Sequence, residues 1–117
     1  MDETLHRILN DLVAMPPVEG AMVLTSRGRI LAACIPGGTD AKSLARECRE
    51  VLDAGTETLA PDGSDLVRVD LRGTGGSTVV LRAGKDAILA VMTSTRTPES
   101  LSLELSRAAE AVRRAVR

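Results

Sequence analysis

Apolar residues at the start of the chain recur with the spacing of an α-helix. The pattern covers residues 2–15 and stops at the pair Pro16-Pro17, so a first amphipathic helix is predicted there. Its apolar face consists of Leu5, Ile8, Leu9, Leu12 and Met15.

Two later stretches show the same helical spacing. Asp40 can cap a second helix, and Thr97-Pro98 provides a cap and a first-turn proline for a closing helix. The second helix carries the apolar stripe Leu44, Cys48, Leu52, Gly55 and Leu59. The closing helix carries Leu101, Leu105, Ala108, Ala109, Val112 and Val116.

Five short segments between the helices have the pattern of β-strands. Residues 21–25 and 30–35 are two apolar runs, and Arg27-Gly28 between them predicts a two-residue hairpin turn. Three more strands are predicted at 66–71, 78–82 and 87–93. In the first of these, side chains alternate between two faces, with Leu66, Arg68 and Asp70 on one and Val67, Val69 and Leu71 on the other.

The predicted order αββαβββα indicates the α+β class. Each helix has one apolar stripe to bury, so the expected packing is a five-stranded antiparallel sheet with helices on both faces. A chain of 117 residues has room for one core, and residues 1–117 are predicted to form a single domain.

Composition removes several classes of function. The net charge of −1 offers no field to attract nucleic acid, and the apolar runs are too short to cross a bilayer, so no membrane insertion is expected. The acidic, amphipathic start is unlike a secretory signal, which favours the cytoplasm. Phe, Tyr and Trp are absent, so the core and any interface depend on aliphatic side chains and arginine.

Catalytic chemistry is not indicated by the polar residues. His6 is the only histidine and lies off the apolar stripe of the first helix, while Cys34 and Cys48 lack metal-ligand spacing, so they are interpreted as reduced thiols. The sequence RGTGGST precedes a strand rather than a helix and is interpreted as a hairpin turn, not a phosphate loop. No catalytic residue, metal or cofactor is expected, and the protein is not predicted to be an enzyme.

Four stretches together resemble the roadblock (dynein light chain-like) family. They are VEGAMVLTSRGRILAA, LARECREVLDAG, GKDAILAVMT and LSLELSRAAEAVR, in this order along the chain. The resemblance implies a profilin-like fold whose two copies join through the third strand and second helix into one continuous sheet. Relatives scaffold or regulate small Ras-like GTPases, and the bacterial MglB-type relatives promote GTP hydrolysis without inserting a catalytic arginine.

Two sets of residues follow from this resemblance. The homodimer interface is expected to contain Leu44, Cys48, Leu52, Leu66, Val67, Arg68, Val69 and Asp70. The GTPase-binding surface is expected on the second helix, at Lys42, Ala45, Arg46, Arg49, Glu50 and Asp53. Without the resemblance, this second set would be interpreted as a solvated helix face with i,i+4 ion pairs.

The expected function is therefore that of a homodimeric, non-catalytic regulator or scaffold of a small Ras-like GTPase, with GTPase-activating-type regulation. Two alternatives remain open. One is a structural dimerisation module of a larger complex, and the other is a profilin-fold sensor of a small ligand.

Overall fold

The fold follows the predicted order of elements. It was obtained as a computed structural model, which describes residues 2–59, 67–95 and 99–116. The elements are α1 (Asp2–Val13), β1 (Val18–Thr25), β2 (Ile30–Cys34), α2 (Ala41–Leu59), β3 (Arg68–Gly73), β4 (Gly76–Ala83), β5 (Ala87–Thr93) and α3 (Glu99–Ala115). The order αββαβββα is thereby confirmed. Leu66 and the Thr97-Pro98 cap lie outside the described residues.

The five strands form one antiparallel sheet in the order β2-β1-β5-β4-β3. The first and last strands of the chain, β1 and β5, pair at its centre, and the hairpin partners β2 and β4 lie outside them. Strands β2 and β3 are the two edges. The β3–β4 register is regular from Arg68 opposite Leu81 to Gly73 opposite Gly76, whereas the β1–β2 register shifts between Val23 and Leu24.

Helices cover both faces of the sheet, as predicted. Helices α1 and α3 pack together on one face over the larger apolar cluster, which takes Val23, Leu81 and Leu89 from the strands. Helix α2 covers the other face, where Ala45, Cys48 and Leu52 meet a second cluster. From the sheet, that second cluster contains Met22, Leu24, Val80, Ile88 and Ala90. Successive residues of one strand therefore enter different clusters, as the two-residue repeat of a strand requires.

The start of α2 is fixed by Asp40, which caps it as predicted. The Asp40 carboxylate accepts hydrogen bonds from the backbone N–H of Ser43, at 3.3 Å, and from its hydroxyl, at 2.8 Å. These bonds, the hydroxyl's first, hold the pKa of Asp40 below its usual value. The far end of the helix corrects the sequence analysis, because Leu59 is 72% exposed and not part of a buried stripe.

The hairpin between β1 and β2 also differs from the expectation. The N–H of Thr25 donates to the carbonyl of Arg29, and the N–H of Gly28 donates to the carbonyl of Thr25. The loop is therefore three residues long, Ser26 to Gly28, and not the predicted two. Gly28 has φ of +91°, which matches the left-handed position that ends a three-residue hairpin loop.

Gly28 should consequently be intolerant of substitution. Replacing it by alanine places a Cβ in the left-handed region and 3.1 Å from Cδ of Arg49, so we expect a cost of about 1–3 kcal/mol and a lower melting temperature. Gly37→Ala is the matched control, because an added Cβ meets nothing within 4 Å and φ is not positive there. Equal thermal melts for the two variants would contradict this account of the loop.

Candidate protein-binding surfaces

The described part of the chain offers little for metal or membrane chemistry. Within it, no three His, Cys, Asp or Glu side chains come together as a metal site would need. None of the described helices has the length and hydropathy to cross a bilayer. His6 lies exposed on α1. The site residues predicted from the sequence lie on two surfaces, one along β3 and one on α2.

The free edge of β3 has backbone groups that no strand pairs with among the described residues. The N–H of Arg82 on β4 donates to the carbonyl of Val67 at 2.8 Å. In an antiparallel ladder, alternate residues direct their backbone groups to the same side, so Val67, Val69 and Leu71 face β4. The N–H and C=O groups of Arg68, Asp70 and Arg72 consequently point outward from the sheet.

Side chains along β3 divide into an apolar and a charged face. Val69 packs against the cluster under α2, while Val67 and Leu71 on the same face are 65% and 40% exposed. Leu71 was not among the residues predicted for an interface, although the alternation that selected Val67 and Val69 also selects it. An apolar row beside unpaired backbone groups is the typical feature of a sheet edge that accepts another strand.

On the other face of β3, Arg68 and Asp70 form a bidentate ion pair. Arg68 donates from Nε to Asp70 Oδ1 at 2.6 Å and from Nη2 to Oδ2 at 2.9 Å, and its Nη1 donates to Ser102 Oγ of α3 at 3.2 Å. The hydrogen bond with Arg68 is the main cause that lowers the pKa of Asp70, and the same bond raises the pKa of Arg68. The pair is thus held in one geometry at the edge.

Two of the residues predicted for the dimer interface are covered already by the chain's own sheet. Cys48 is 1% and Leu52 0% exposed, because both project from α2 onto the cluster with Val80 and Ile88. They position α2 and do not themselves reach its outer surface. Leu44 is partly exposed at the border of the same cluster. Of the predicted set, Leu44, Val67, Arg68, Val69 and Asp70 therefore remain accessible to a partner.

The predicted GTPase-binding set needs one similar correction. Lys42, Arg46, Arg49, Glu50 and Asp53 are exposed on α2, but Ala45 is 2% exposed and packs against the sheet. Arg49 Nε lies 3.5 Å from Asp53 Oδ2, and the Arg49 side chain extends over Gly28 of the hairpin. Positions 42, 46, 49 and 53 follow one line along the helix. We call these four residues the α2 row.

Two open grooves lie at opposite ends of the sheet. One, of about 610 Å³, runs beside the β3–β4 turn and includes Leu71, Arg72 and Met92 in its lining. The other, of about 730 Å³, is lined by Arg27 and seven other residues near the β1–β2 loop and the end of α3. Small-molecule sites are concave and place a few buried polar groups around the ligand. The charged side chains of both grooves are exposed, which does not favour the ligand-sensor alternative.

Comparison with known proteins identifies the family. The family model described as "Roadblock/LC7 domain" matches residues 4–93, which is most of the chain and includes most of α1, all of α2 and the whole sheet. The chain belongs to the Roadblock/LC7 family. The protein MJ1340 of Methanocaldococcus jannaschii, described as uncharacterized, is 28% identical over 111 residues, which cover 93% of this chain and 96% of that one.

Solved structures of the same fold extend this result. The gliding protein MglB of Thermus thermophilus superposes with a TM-score of 0.84 at 19% identity, covering 97% of this chain and 89% of that one. LokiProfilin1, solved in complex with rabbit actin, superposes with a TM-score of 0.66 at 15% identity, covering 99% and 98% of the two chains. At these identities the likeness is one of fold, and it confirms the profilin-like architecture of this roadblock domain.

The two thiols of the domain should react very differently. Burial, with a smaller contribution from the charge of Glu47, raises the pKa of Cys48 to about 11, so this thiol stays protonated at pH 8. We expect Ellman's reagent to modify one thiol per chain, the partly exposed Cys34, and to reach Cys48 only after unfolding in guanidinium. Cys34→Ala should abolish the native reaction. Two thiols reacting at equal rates in the native protein would contradict the burial of Cys48.

Proposed function

We propose that this protein is a homodimeric, non-catalytic regulator of a small Ras-like GTPase that modulates the nucleotide cycle of its partner in the manner of a GTPase-activating factor. One observation carries the proposal. An edge strand with unpaired backbone groups, β3, lies against the same helix that displays the exposed α2 row, so that one element connects self-association with partner binding. Membership of the Roadblock/LC7 family supports the GTPase as the class of partner.

The chemistry of the α2 row suits a regulatory rather than a catalytic role. Lys42, Arg46 and Arg49 are exposed cations on a helix, where they can steer a partner and select it but lie in no cleft that excludes water. Hydrolysis would then take place within the GTPase, and the domain would act by holding or reshaping the nucleotide-binding loops. The cytoplasm is the compartment that this partner implies.

Self-association is the first part of the proposal to test. In solution at micromolar concentration we expect a mass of twice the 12.3 kDa of one chain by multi-angle light scattering, because the β3 edge satisfies its backbone groups by pairing. A monomer under these conditions would overturn the homodimer. Association that persists after the β3 edge is blocked, for example by Asp70→Pro, which removes an outward-facing N–H in a chain that still folds, would place the contact elsewhere.

Partner binding is tested by reversing charges on the α2 row. We expect Arg46→Glu/Arg49→Glu to lower affinity for the GTPase at least about tenfold, since exposed charges contribute little to folding but control association. The control is Arg7→Glu/Arg107→Glu, which reverses two exposed arginines on the helices of the opposite face.

The binding measurement uses small Ras-like GTPases of the same organism, each loaded with GDP or a non-hydrolysable GTP analogue. Preference for one nucleotide state, lost in the α2 variant and kept in the control, supports regulation of the nucleotide cycle. Equal binding to both states would instead support the structural dimerisation module. A melting temperature raised by a metabolite, with no GTPase bound, would support the ligand sensor.

A further inference from the structure

The sequence of β3 restricts how two copies of its edge can pair. Only Arg68, Asp70 and Arg72 direct their backbone groups outward, and an antiparallel partner must place outward-facing residues opposite one another. The pairing register of two copies related by a two-fold axis can therefore change only in steps of two residues. The axis then passes through one of five residues, Arg68, Val69, Asp70, Leu71 or Arg72.

Charge excludes three of these five registers. With the axis at Arg68 or at Arg72, that arginine lies directly opposite its own copy in the partner. With the axis at Asp70, the two Asp70 side chains are opposite one another, and Arg68 is opposite the partner's Arg72. Like charges directly opposite on neighbouring strands are destabilising. Since Arg68 and Asp70 are already fixed by hydrogen bonds, they are not free to turn away from such a contact.

The apolar face decides between the remaining two. With the axis at Leu71, Val69 lies opposite the partner's Gly73, and Val67 lies beyond the end of the partner's β3. With the axis at Val69, the two copies of Val69 lie opposite each other. Val67 of each copy lies opposite the partner's Leu71, and these side chains are 65% and 40% exposed in a single chain. Only this last register covers every exposed apolar side chain of the strand with another apolar side chain.

We propose that two copies of this chain pair their β3 edges about a two-fold axis at Val69, so that Arg68 of each copy lies opposite the partner's Asp70. This inference rests on the homodimer of the proposed function and adds its register and its determinants. The other edge, β2, is a poorer template because it has five residues and its pairing with β1 is irregular.

The ion pair has capacity left for the partner. A guanidinium has five N–H donors, and Arg68 uses three of them with the described residues of its own chain, two to Asp70 and one to Ser102. The remaining donors lie on Nη1 and Nη2. The Asp70 carboxylate has about four acceptor positions and uses two of them. In the proposed register the four side chains form a square of alternating charge, in which each ion has an opposite charge both within its chain and across the interface.

Disulfide trapping tests the register directly. In a Cys34→Ala background, we compare Val69→Cys, Asp70→Cys and Leu71→Cys under mild oxidation on non-reducing gels. The buried Cys48 has a pKa raised to about 11 and stays inert at neutral pH. Val69→Cys should form a covalent dimer fastest, because residues opposite each other across the axis have Cβ atoms about 4.5–5.5 Å apart.

The other two variants report on the competing registers. Across the proposed axis, the two copies of residue 70 are diagonal neighbours at about 7–8 Å, and the copies of residue 71 are about 13 Å apart. Neither should be trapped efficiently. Fastest trapping of Leu71→Cys or of Asp70→Cys would overturn the proposed register and identify the correct one.

Charge exchange provides an independent test. Arg68→Asp and Asp70→Arg should each raise the dimer Kd at least about tenfold, and the double variant Arg68→Asp/Asp70→Arg should recover most of the loss, because the opposed pairs are restored with their signs exchanged. Arg72→Asp is the matched control, since Arg72 opposes Asp70 only in the Leu71 register. Circular dichroism and thermal melts report whether each variant is folded.

Failure of the register and failure of the homodimer give different results. If the unmodified chain is a dimer but Arg72→Asp weakens it more than Arg68→Asp, or the double variant shows no recovery, the register is wrong and the homodimer stands. If the unmodified chain is monomeric at micromolar concentration and no cysteine variant is trapped, the homodimer of the proposed function fails.

Discussion

Strands β1 and β5 pair along the centre of the sheet, and every other part of the structure depends on the burial of this pair on both sides. Residues 21–24 of β1 and 87–91 of β5 are at most 1% exposed, and their side chains alternate between the cluster under α1 and α3 and the cluster under α2. Full burial of a valine, leucine, isoleucine or methionine side chain stabilises the folded state by about 1.5–3 kcal/mol. Since the chain has no aromatic residue, this stabilisation comes from aliphatic side chains. The smallest of them, such as Ala21, Ala87 and Ala90, allow helices on both faces to approach closely.

This central constraint explains which parts of the fold the sequence could predict. Where a strand or helix is buried on a definite side, periodicity identifies it, and the alternation of Arg68 and Val69 is confirmed by their contacts with Ser102 of α3 and with the cluster under α2. A cap that requires a particular side chain, as at Asp40, is equally predictable. The hairpin length was not, because a glycine with positive φ ends loops of two and of three residues.

The errors on α2 have a common physical origin. Periodicity reports the direction in which a side chain projects, but not where along the helix the sheet beneath it stops. Leu59 lies two turns beyond Leu52 on the same stripe and is exposed, whereas Ala45 projects inward beside Cys48 although an alanine adds little to the apolar signal. Cys48 and Leu52, which the family resemblance places at the dimer interface, lie on the inward side of α2 and pack against the sheet of their own chain.

The two faces of β3 contribute to recognition in different ways, and both are connected to α2. Its charged face, Arg68-Asp70-Arg72, opposes incorrect strand pairing, which protects an edge that would otherwise associate with any extended chain. Its apolar face continues the cluster on which α2 rests, through Val69, and α2 is further connected to β4 by a hydrogen bond of 3.4 Å between Arg82 Nη2 and Thr56 Oγ1. In the homodimer proposed above, the two-fold axis at β3 brings two α2 helices to neighbouring positions on one side of a continuous sheet. The two α2 rows then form one surface that a single chain does not have. A partner that contacts both rows therefore binds the dimer and not the monomer.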